Sequence, residues 1–190
     1  MRTHVVEVGG TVRVAVATTL GGFIVEAGAR GVRSITPVSS RAFSPSSDRP
    51  RSGGVAPGEA AADGHAQAAA GALRAYAEGG RAPYGGPLDV VGTAFEYAVW
   101  ERLRAIPFGV TTSYGEIAAA LGQPGEARAV GAAVGANRAC VLVPCHRVVG
   151  VDGSLRGFVW GLELKRRLLA HEGSGSLSLF GSAAPRGPRP

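Results

Sequence analysis

Cysteine, histidine and long apolar runs are all scarce in this sequence of 190 residues, and each scarcity excludes a class of protein. The only two cysteines, Cys140 and Cys145, can form neither a disulfide framework nor a Cys₄ zinc site, and the four histidines are scattered. No apolar stretch approaches the roughly 18 residues of a membrane-spanning helix. The first residues also lack the apolar core of a secretory signal. We therefore expect an intracellular, cytoplasmic protein that holds no metal and contacts no membrane.

Lysine is almost absent, since Lys165 is the single lysine among 20 basic residues. The formal net charge is +6 and the pI is about 10.1, which mildly favours a polyanionic partner. The arginines are spread along the chain and form no basic arm. Charge alone therefore does not establish that the protein binds nucleic acid.

Residues 3–37 carry the pattern of β-strands. Apolar residues alternate with small or polar ones, and glycine pairs at 9–10 and 21–22 mark two turns, which predicts a small sheet of three strands. Residues 38–65 are rich in Ser, Pro, Gly and Ala. Such a segment buries too little apolar area to offset its ordering entropy, so we expect a disordered loop there.

A helix is predicted over residues 66–78, with Leu73 and Tyr76 as its anchoring side chains and a glycine pair at its end. The linker that follows is rich in Pro and Gly. Residues 1–90 are therefore expected to form a thin first domain of one sheet and one helix.

Two capping boxes mark helix starts in the second half of the chain. Thr93 and Glu96 open a helix that Pro107 stops, and Ser113 and Glu116 open a second, shorter helix. A reciprocal pair of this kind satisfies two backbone N–H groups at a helix N-terminus. The sequence therefore predicts both N-termini closely.

A Gly/Pro turn at 122–125 separates the short helix from another over 126–136, which together are a helix-turn-helix pattern. The second of these helices consists almost entirely of Ala and Gly. Small side chains allow tight packing against a neighbouring helix, and they equally allow a close approach to a partner surface with Arg128 as the only long side chain. The sequence leaves both interpretations open.

A thiol and an imidazole are adjacent in the run Pro144-Cys145-His146-Arg147, which follows an apolar stretch. A free cysteine has a pKa of about 8.5, so a nucleophilic thiol needs a base and a field that favours the anion. His146 is a candidate base and Arg147 a candidate source of that field. Neighbours on a strand point opposite ways, so His146 reaches the sulfur only if the chain bends or a water relays the proton. The alternative is a buried cysteine beside a structural histidine.

Several motifs in the second half are collinear with those of one family. They are SYGEIA at 113–118, RAVGA at 128–132, Asn137, VPCHRV at 143–148 and KRRLL at 165–169. With them the sequence resembles the methylated-DNA–protein-cysteine methyltransferases, or O6-alkylguanine-DNA alkyltransferases, over about residues 93–173. Residues 1–92 are similar only loosely to the family's variable N-terminal domain.

The resemblance implies an α+β fold with two domains. The first, 1–90, is a small antiparallel sheet with a helix and includes the disordered 38–65 loop. The second, 91–173, is a mainly helical, winged-helix-like alkyltransferase domain that contains the helix-turn-helix. Residues 174–190 are expected to be a disordered tail.

The resemblance also implies roles for individual residues. Cys145 would accept the alkyl group in a one-step displacement, His146 would deprotonate it through a water, and Glu172 would orient His146. Tyr114 would help to rotate the phosphate and would donate a hydrogen bond to guanine N3. Arg128 would fill the gap left by the flipped base.

Other matching positions would shape and support the site. Small residues would let the second helix of the helix-turn-helix enter the minor groove, which is about 6 Å wide. These residues are Ala129, Gly131 and Ala132. The residues expected to support the site are Asn137, Pro144 and Arg147, and those expected to line the substrate pocket are Val148, Phe158, Val159 and Trp160.

The sequence departs from the family pattern at a few of these positions. Arg138 stands where a proline usually follows the asparagine, and Phe158 stands where a tyrosine is common. Val159 replaces a serine that in some members hydrogen-bonds O6, and Trp160 replaces a glycine and could narrow the pocket. These departures leave the substrate range open.

The function implied is DNA repair by single-use transfer of a methyl or small alkyl group from O6-alkylguanine, and less well from O4-alkylthymine, to Cys145. No cofactor is expected, and the partner is double-stranded DNA bound by a monomer that associates with the nucleoid. Two alternatives stay open. One is a non-catalytic lesion-binding protein, against which the presence of Cys145 argues, and the other is a thiol hydrolase, for which no oxyanion hole is evident.

Overall fold

The N-terminal part of the chain forms an antiparallel sheet whose strands follow their sequence order. The computed structural model describes residues 4–8, 10–38, 57–81 and 84–173. The four strands are β1 (His4–Val8), β2 (Thr11–Thr18), β3 (Gly21–Gly28) and β4 (Gly31–Val38). Turns lie near the two predicted places and at a third, residues 29–30, so the sheet has four strands where the glycine pairs predicted three. The third turn follows from Gly31, whose φ of 145° is open to glycine.

Helix α1 (Pro57–Ala77) covers one face of this sheet. The covered face presents alternate side chains of β2 and β3, as the period of a half-buried strand requires. They are Val12, Val14, Val16, Phe23 and Val25. Small residues of α1, among them Ala66 and Ala69, are buried against them, so the helix backbone lies close to the strands.

The structure corrects the disordered loop expected over 38–65 at both of its ends. Val38 closes β4, and residues 57–65 form the first turns of α1. Glu59 suits the first turn of a helix, and Ala62 is fully buried in the cluster formed with the sheet, so contact with the sheet helps to order this segment. Residues 39–56 and the expected disordered tail, 174–190, lie outside the described residues.

Both predicted capping boxes are present. Thr93 Oγ1 accepts from the backbone N–H of Glu96 at 3.2 Å, and the Glu96 carboxylate accepts from the backbone N–H of Thr93 at 2.7 Å. They start α2 (Ala94–Arg104). Ser113 and Glu116 form the same reciprocal pair at the start of α3 (Tyr114–Ala120).

Helix α4 (Ala127–Gly135) packs against α2 and α3. Val130, Ala133 and Val134 are buried on its inner side, and Trp100 donates its indole N–H to the carbonyl of Ala133 at 2.8 Å. Ala132, in contrast, is exposed. The small residues of this helix therefore allow close packing on one side. On the other side they leave a surface that consists largely of short side chains.

The remaining elements complete the C-terminal part. Strands β5 (Thr112–Ser113) and β6 (Val148–Val149) pair in parallel, and helix α5 spans Leu162–His171. Because β6 directly follows the run that carries Cys145, this short pairing anchors that run to the start of α3.

The two parts of the chain share one buried cluster. Beside the sheet and α1 it contains Cys140, Val141 and Leu168. The N–H of Ile35 in β4 also donates to the carbonyl of Arg138 at 2.7 Å. The sheet and α1 therefore lie directly behind the segment that leads to Cys145.

The described ranges contain neither a helix suited to a bilayer nor a cluster suited to a metal ion. Among those residues, none of the helices combines the length and the apolar character needed to cross a bilayer. Across the same ranges, histidine, cysteine and acidic side chains nowhere gather in threes that could hold a metal ion.

Candidate active site

The run that carries Cys145 is a tight turn rather than a strand end. Residues Cys145–Arg147 form one turn of 3₁₀-helix, closed by a hydrogen bond from the N–H of Arg147 to the carbonyl of Pro144 at 3.0 Å. The turn changes the direction of successive side chains, so the alternation of an extended strand does not apply. Cys145 borders a surface cavity, whereas His146 is fully buried behind it.

Asn137 holds the loop that precedes this turn. Its side-chain amide donates to the carbonyl of Val143 at 2.9 Å, and its side-chain oxygen accepts from the N–H of Ala139 at 2.9 Å. Within this loop Val141 has a φ of 73°, which a β-branched residue rarely adopts. The two hydrogen bonds of Asn137 therefore fix a strained path that ends at the thiol. Arg138 is exposed and takes part in the loop through its backbone.

An open cavity of about 980 Å³ lies in front of Cys145. Its wall is mainly apolar and is formed by α3, α4 and residues 156–160. Of the residues predicted to contact substrate or DNA, those that line it are Tyr114, Arg128, Gly131, Phe158, Val159 and Trp160. Val148 does not line it, because β6 turns this side chain into the core, where it is fully buried.

Tyr114 and Arg128 stand on two different helices at this cavity. Tyr114 is the first residue of α3, is half-buried, and lies close to Gly131 of α4, where an added Cβ would come 3.8 Å from its ring. Burial raises the pKa of Tyr114, so the hydroxyl keeps its proton as a donor. Arg128 is exposed. Ala129 and Ala132 share α4 with it but do not line the cavity.

Behind the thiol, His146 and Glu172 form a buried pair. His146 Nε2 lies 2.8 Å from Glu172 Oε1, and both side chains are 0% exposed. Arg147 donates from Nε to Oε2 at 2.9 Å and from Nη2 to Oε1 at 2.9 Å, and the backbone N–H of Gly109 donates to Oε2 at 3.0 Å. Glu172 directly follows α5, which places its carboxylate under the turn that carries Cys145.

The electrostatics of the pair favour an ionised carboxylate and a neutral imidazole. Burial by itself raises the pKa of Glu172, but hydrogen bonds from His146 and Arg147 bring it well below its usual range. Burial lowers the pKa of His146, against the pull of Glu172. With Nε2 directed at Glu172, Nδ1 is the acceptor of a neutral ring, and it is buried without a hydrogen-bond partner among the described residues. The histidine can therefore take up one proton at Nδ1.

The thiol itself is protonated at rest. Burial raises the pKa of Cys145, whereas Asn137, Lys165 and the backbone N–H groups of the turn favour the thiolate. Cys140 is also fully buried, and burial raises its pKa as well. Of the two cysteines, Cys145 is the one that borders the cavity, and its anion is favoured by the positive charge of Lys165 as well as by hydrogen bonds.

Sequence reasoning missed two side chains of this site. Tyr76 of α1 donates its hydroxyl to Glu172 Oε1 at 2.7 Å. Lys165 of α5 is 0% exposed and donates to the carbonyl of Arg156 at 2.8 Å, beside the ring of Phe158. The available signals were an aromatic residue at the end of α1 and the presence of a single lysine in the chain.

A family model and a curated relative both connect the second half of this chain with methylguanine methyltransferases. Residues 94–174 match the family described as 6-O-methylguanine DNA methyltransferase, DNA binding domain. A methylated-DNA–protein-cysteine methyltransferase of Salmonella typhimurium is 56% identical over 82 residues, which are 43% of this chain and 48% of that protein. The match thus spans about half the length of that relative.

Two mycobacterial comparisons reach further. A methylated-DNA–protein-cysteine methyltransferase of Mycobacterium tuberculosis is 48% identical over 111 residues, which are 57% of this chain and 67% of that protein. A crystal structure of Mycobacterium tuberculosis OGT in complex with DNA superposes with a TM-score of 0.67 at 34% identity and covers 84% of this chain and 91% of that one. The likeness therefore includes the N-terminal sheet as well as the helical part.

Proposed function

The chain belongs to the methylated-DNA–protein-cysteine methyltransferase family, and we propose that it repairs DNA by moving a methyl or small alkyl group from guanine O6 to Cys145. The observation that carries this proposal is a thiol at an open cavity, backed by a buried histidine–carboxylate pair. O4-alkylthymine is a poorer substrate. We propose the cytoplasm, at the nucleoid when DNA is bound, as the place of action, and a monomer as the active form.

The reaction is a single displacement at carbon. The thiol proton passes through a water to His146 Nδ1, and Glu172 stabilises the imidazolium that forms. The sulfur then forms a bond to the alkyl carbon while the bond from that carbon to guanine O6 breaks. The leaving base takes up one proton from water and the imidazolium returns the thiol proton to water, so protons and charge balance. The products are a thioether and an unmodified guanine, so no cofactor takes part. Because the thioether is not cleaved, each molecule reacts once.

Guanine O6 is inaccessible in a duplex, so the target nucleotide must leave the base stack. We propose that α3 and α4 act as a winged-helix-like helix-turn-helix in which α4 enters the minor groove. Short side chains form most of the exposed side of α4, and Gly131 borders the cavity. Arg128 is the long, exposed side chain beside it and occupies the vacated position in the stack. Ala129 and Ala132 keep the rest of this surface shallow.

Tyr114 supports the leaving base. Negative charge develops on the purine as the C–O6 bond breaks, so a donor placed at N3 lowers the barrier. The hydroxyl keeps its proton because burial raises its pKa. A phenol that stays protonated over the working pH range suits this task.

The pocket residues bear on the size and the recognition of the alkylated base. Phe158, Val159 and Trp160 border the cavity, and the indole of Trp160 takes space that a smaller residue leaves open. Phe158 offers a ring for stacking. Val159 offers no hydrogen bond to O6, so recognition depends more on the groups at N3 and on the shape of the cavity.

The test is incubation of the protein with a duplex that contains O6-methylguanine labelled in the methyl group. We expect one equivalent of label per protein at most, on the peptide that contains Cys145. Cys145→Ser abolishes it and the matched variant Cys140→Ser retains it. Label on Cys140 would overturn the site assignment. Lesion binding without label would favour a non-catalytic binder, and repeated turnover on a hydrolysable acyl substrate would favour a thiol hydrolase.

A further inference from the structure

We propose that Tyr76 of α1 is a positioning residue for alkyl transfer: its hydroxyl shares Glu172 Oε1 with His146 and makes the N-terminal helix part of the proton relay. This inference rests on the proposed function, because the relay matters for alkyl transfer only if Cys145 is the nucleophile. It assigns the N-terminal part of the chain a direct share in the chemistry.

The contacts are short and converge on one atom. The Tyr76 hydroxyl donates to Glu172 Oε1 at 2.7 Å, and His146 Nε2 lies 2.8 Å from the same oxygen. The hydroxyl oxygen is also 3.4 Å from Nε2. Arg147 Nη2 donates to this oxygen as well, at 2.9 Å, so three donors share its charge, and Tyr76 is the one contributed by the N-terminal part of the chain.

The position of the phenol is fixed by its surroundings. Its ring lies edge-on to Phe108, with centroids 5.9 Å apart, and tilted against His171, with centroids 5.1 Å apart. The backbone carbonyl of Tyr76 lies 2.7 Å from His171 Nε2. The end of α1 is thus attached to the end of α5, immediately before Glu172.

The hydroxyl moderates the basicity of the carboxylate. A hydrogen bond to a carboxylate oxygen stabilises its charge and weakens its pull on the imidazolium. Burial, with the charge of Glu172, raises the pKa of Tyr76 well above its usual range, so the phenol remains a donor throughout the working pH range. The titratable and charged groups around the relay are Glu172, Arg147 and Lys165, which act on His146, and Cys140 and His171, which face Tyr76. Tyr76 itself is contributed by α1.

The test is Tyr76→Phe in the full chain, which keeps the ring and removes the hydroxyl. With the hydroxyl gone, Oε1 is shared by His146 and Arg147 alone and draws the imidazolium more strongly, so the histidine is neutral only at higher pH. We expect the acid limb of the single-turnover rate, measured on the O6-methylguanine duplex, to move up by about 0.5 to 1 pH unit. Below the limb the rate should fall about three- to tenfold.

Tyr97→Phe is the matched control, since Tyr97 also donates its hydroxyl, to the carbonyl of Val90 at 2.6 Å, but on α2 away from the relay. It should leave the limb in place. If Tyr76 only packs, Tyr76→Phe lowers the melting temperature or the fraction of reactive protein and leaves the limb unmoved. That result overturns the proposal.

Two further measurements separate this inference from the proposed function and from folding defects. NMR titration of the His146 ring, assigned by its loss in His146→Gln, should give a higher pKa in Tyr76→Phe, whether or not any label is transferred. An unchanged titration contradicts the inference even if the wild-type protein repairs DNA. Incorporation of 3-fluorotyrosine at position 76, a stronger donor of nearly the same shape, should move the limb to lower pH, and a move in the other direction counts against the inference.

Discussion

Replacing Lys165 by methionine should separate stability from reactivity. The side chain of Lys165 is fully buried, and burial lowers its pKa from 10.5 to about 8. A shift of this size corresponds to about 3 kcal/mol against the charged form, and relaxation and screening reduce it to about 2 kcal/mol. Methionine fills a similar volume without a charge, and it gives up the hydrogen bond to the carbonyl of Arg156, which is worth about 1 kcal/mol. We expect the free energy of unfolding of Lys165→Met at pH 7.5 to be at least as large as that of the wild-type protein.

The pH dependence makes this expectation specific. A lysine with a depressed folded-state pKa binds fewer protons in the folded state than in the unfolded state between pH 8 and 10.5, so the wild-type protein gains stability as pH rises through that window. The advantage of Lys165→Met should therefore shrink by about 1 to 2 kcal/mol between pH 7.5 and 9.5 in urea denaturation. Its transfer rate should fall several-fold, because the Cys145 thiolate loses a nearby cation. Parallel stability curves for the two proteins across this range would refute the reasoning.

Substitutions at three other positions test separate parts of the site. Arg128→Ala should weaken repair of duplex DNA more than reaction with free O6-benzylguanine, and equal losses in the two rates would show that Arg128 does not serve base extrusion. Gly131→Ala should retain DNA binding in fluorescence anisotropy, since a Cβ there meets Tyr114 at an ordinary 3.8 Å, whereas Gly131→Leu should lose it; equal affinities would contradict a close approach by α4. Glu172→Gln should cost about 3 to 5 kcal/mol at pH 7, because Arg147 keeps a buried charge without its partner. Since the Glu172 pKa is depressed, the wild-type advantage should be present above about pH 4.5 and should vanish on acidification, and a pH-independent difference in unfolding free energy would contradict this account.

Local signals in the sequence predicted the helix starts well. Thr93 with Glu96, and Ser113 with Glu116, each form both hydrogen bonds that their spacing predicts, because a capping box involves only residues three apart. Composition was less informative at the start of α1, where alanines looked like a disordered loop. Their order depends on contact with the sheet, which is encoded in β2 and β3 and not in the segment itself.

Contacts between residues far apart in the sequence are the part of the site that could not be predicted from local patterns. His146 and Arg147 adjoin Cys145 in sequence, but their common partner Glu172 was placed by resemblance, since 26 residues separate it from His146. Tyr76 lies 96 residues from Glu172, and no periodicity in α1 indicates a hydroxyl contact of that range. Val148 lies outside the lining of the cavity, because the direction of its side chain depends on the pairing of two strands of two residues each.

The cluster that joins Cys140, Val141 and Leu168 to the sheet bears on any attempt to trim the protein. A fragment limited to the matched region 94–174 would expose these side chains to water and would lose the backbone bond between Ile35 and Arg138. Such a truncated version should aggregate or bind detergent rather than serve as a minimal reagent. A designer who wants a smaller catalyst would have to rebuild that apolar surface with polar residues first.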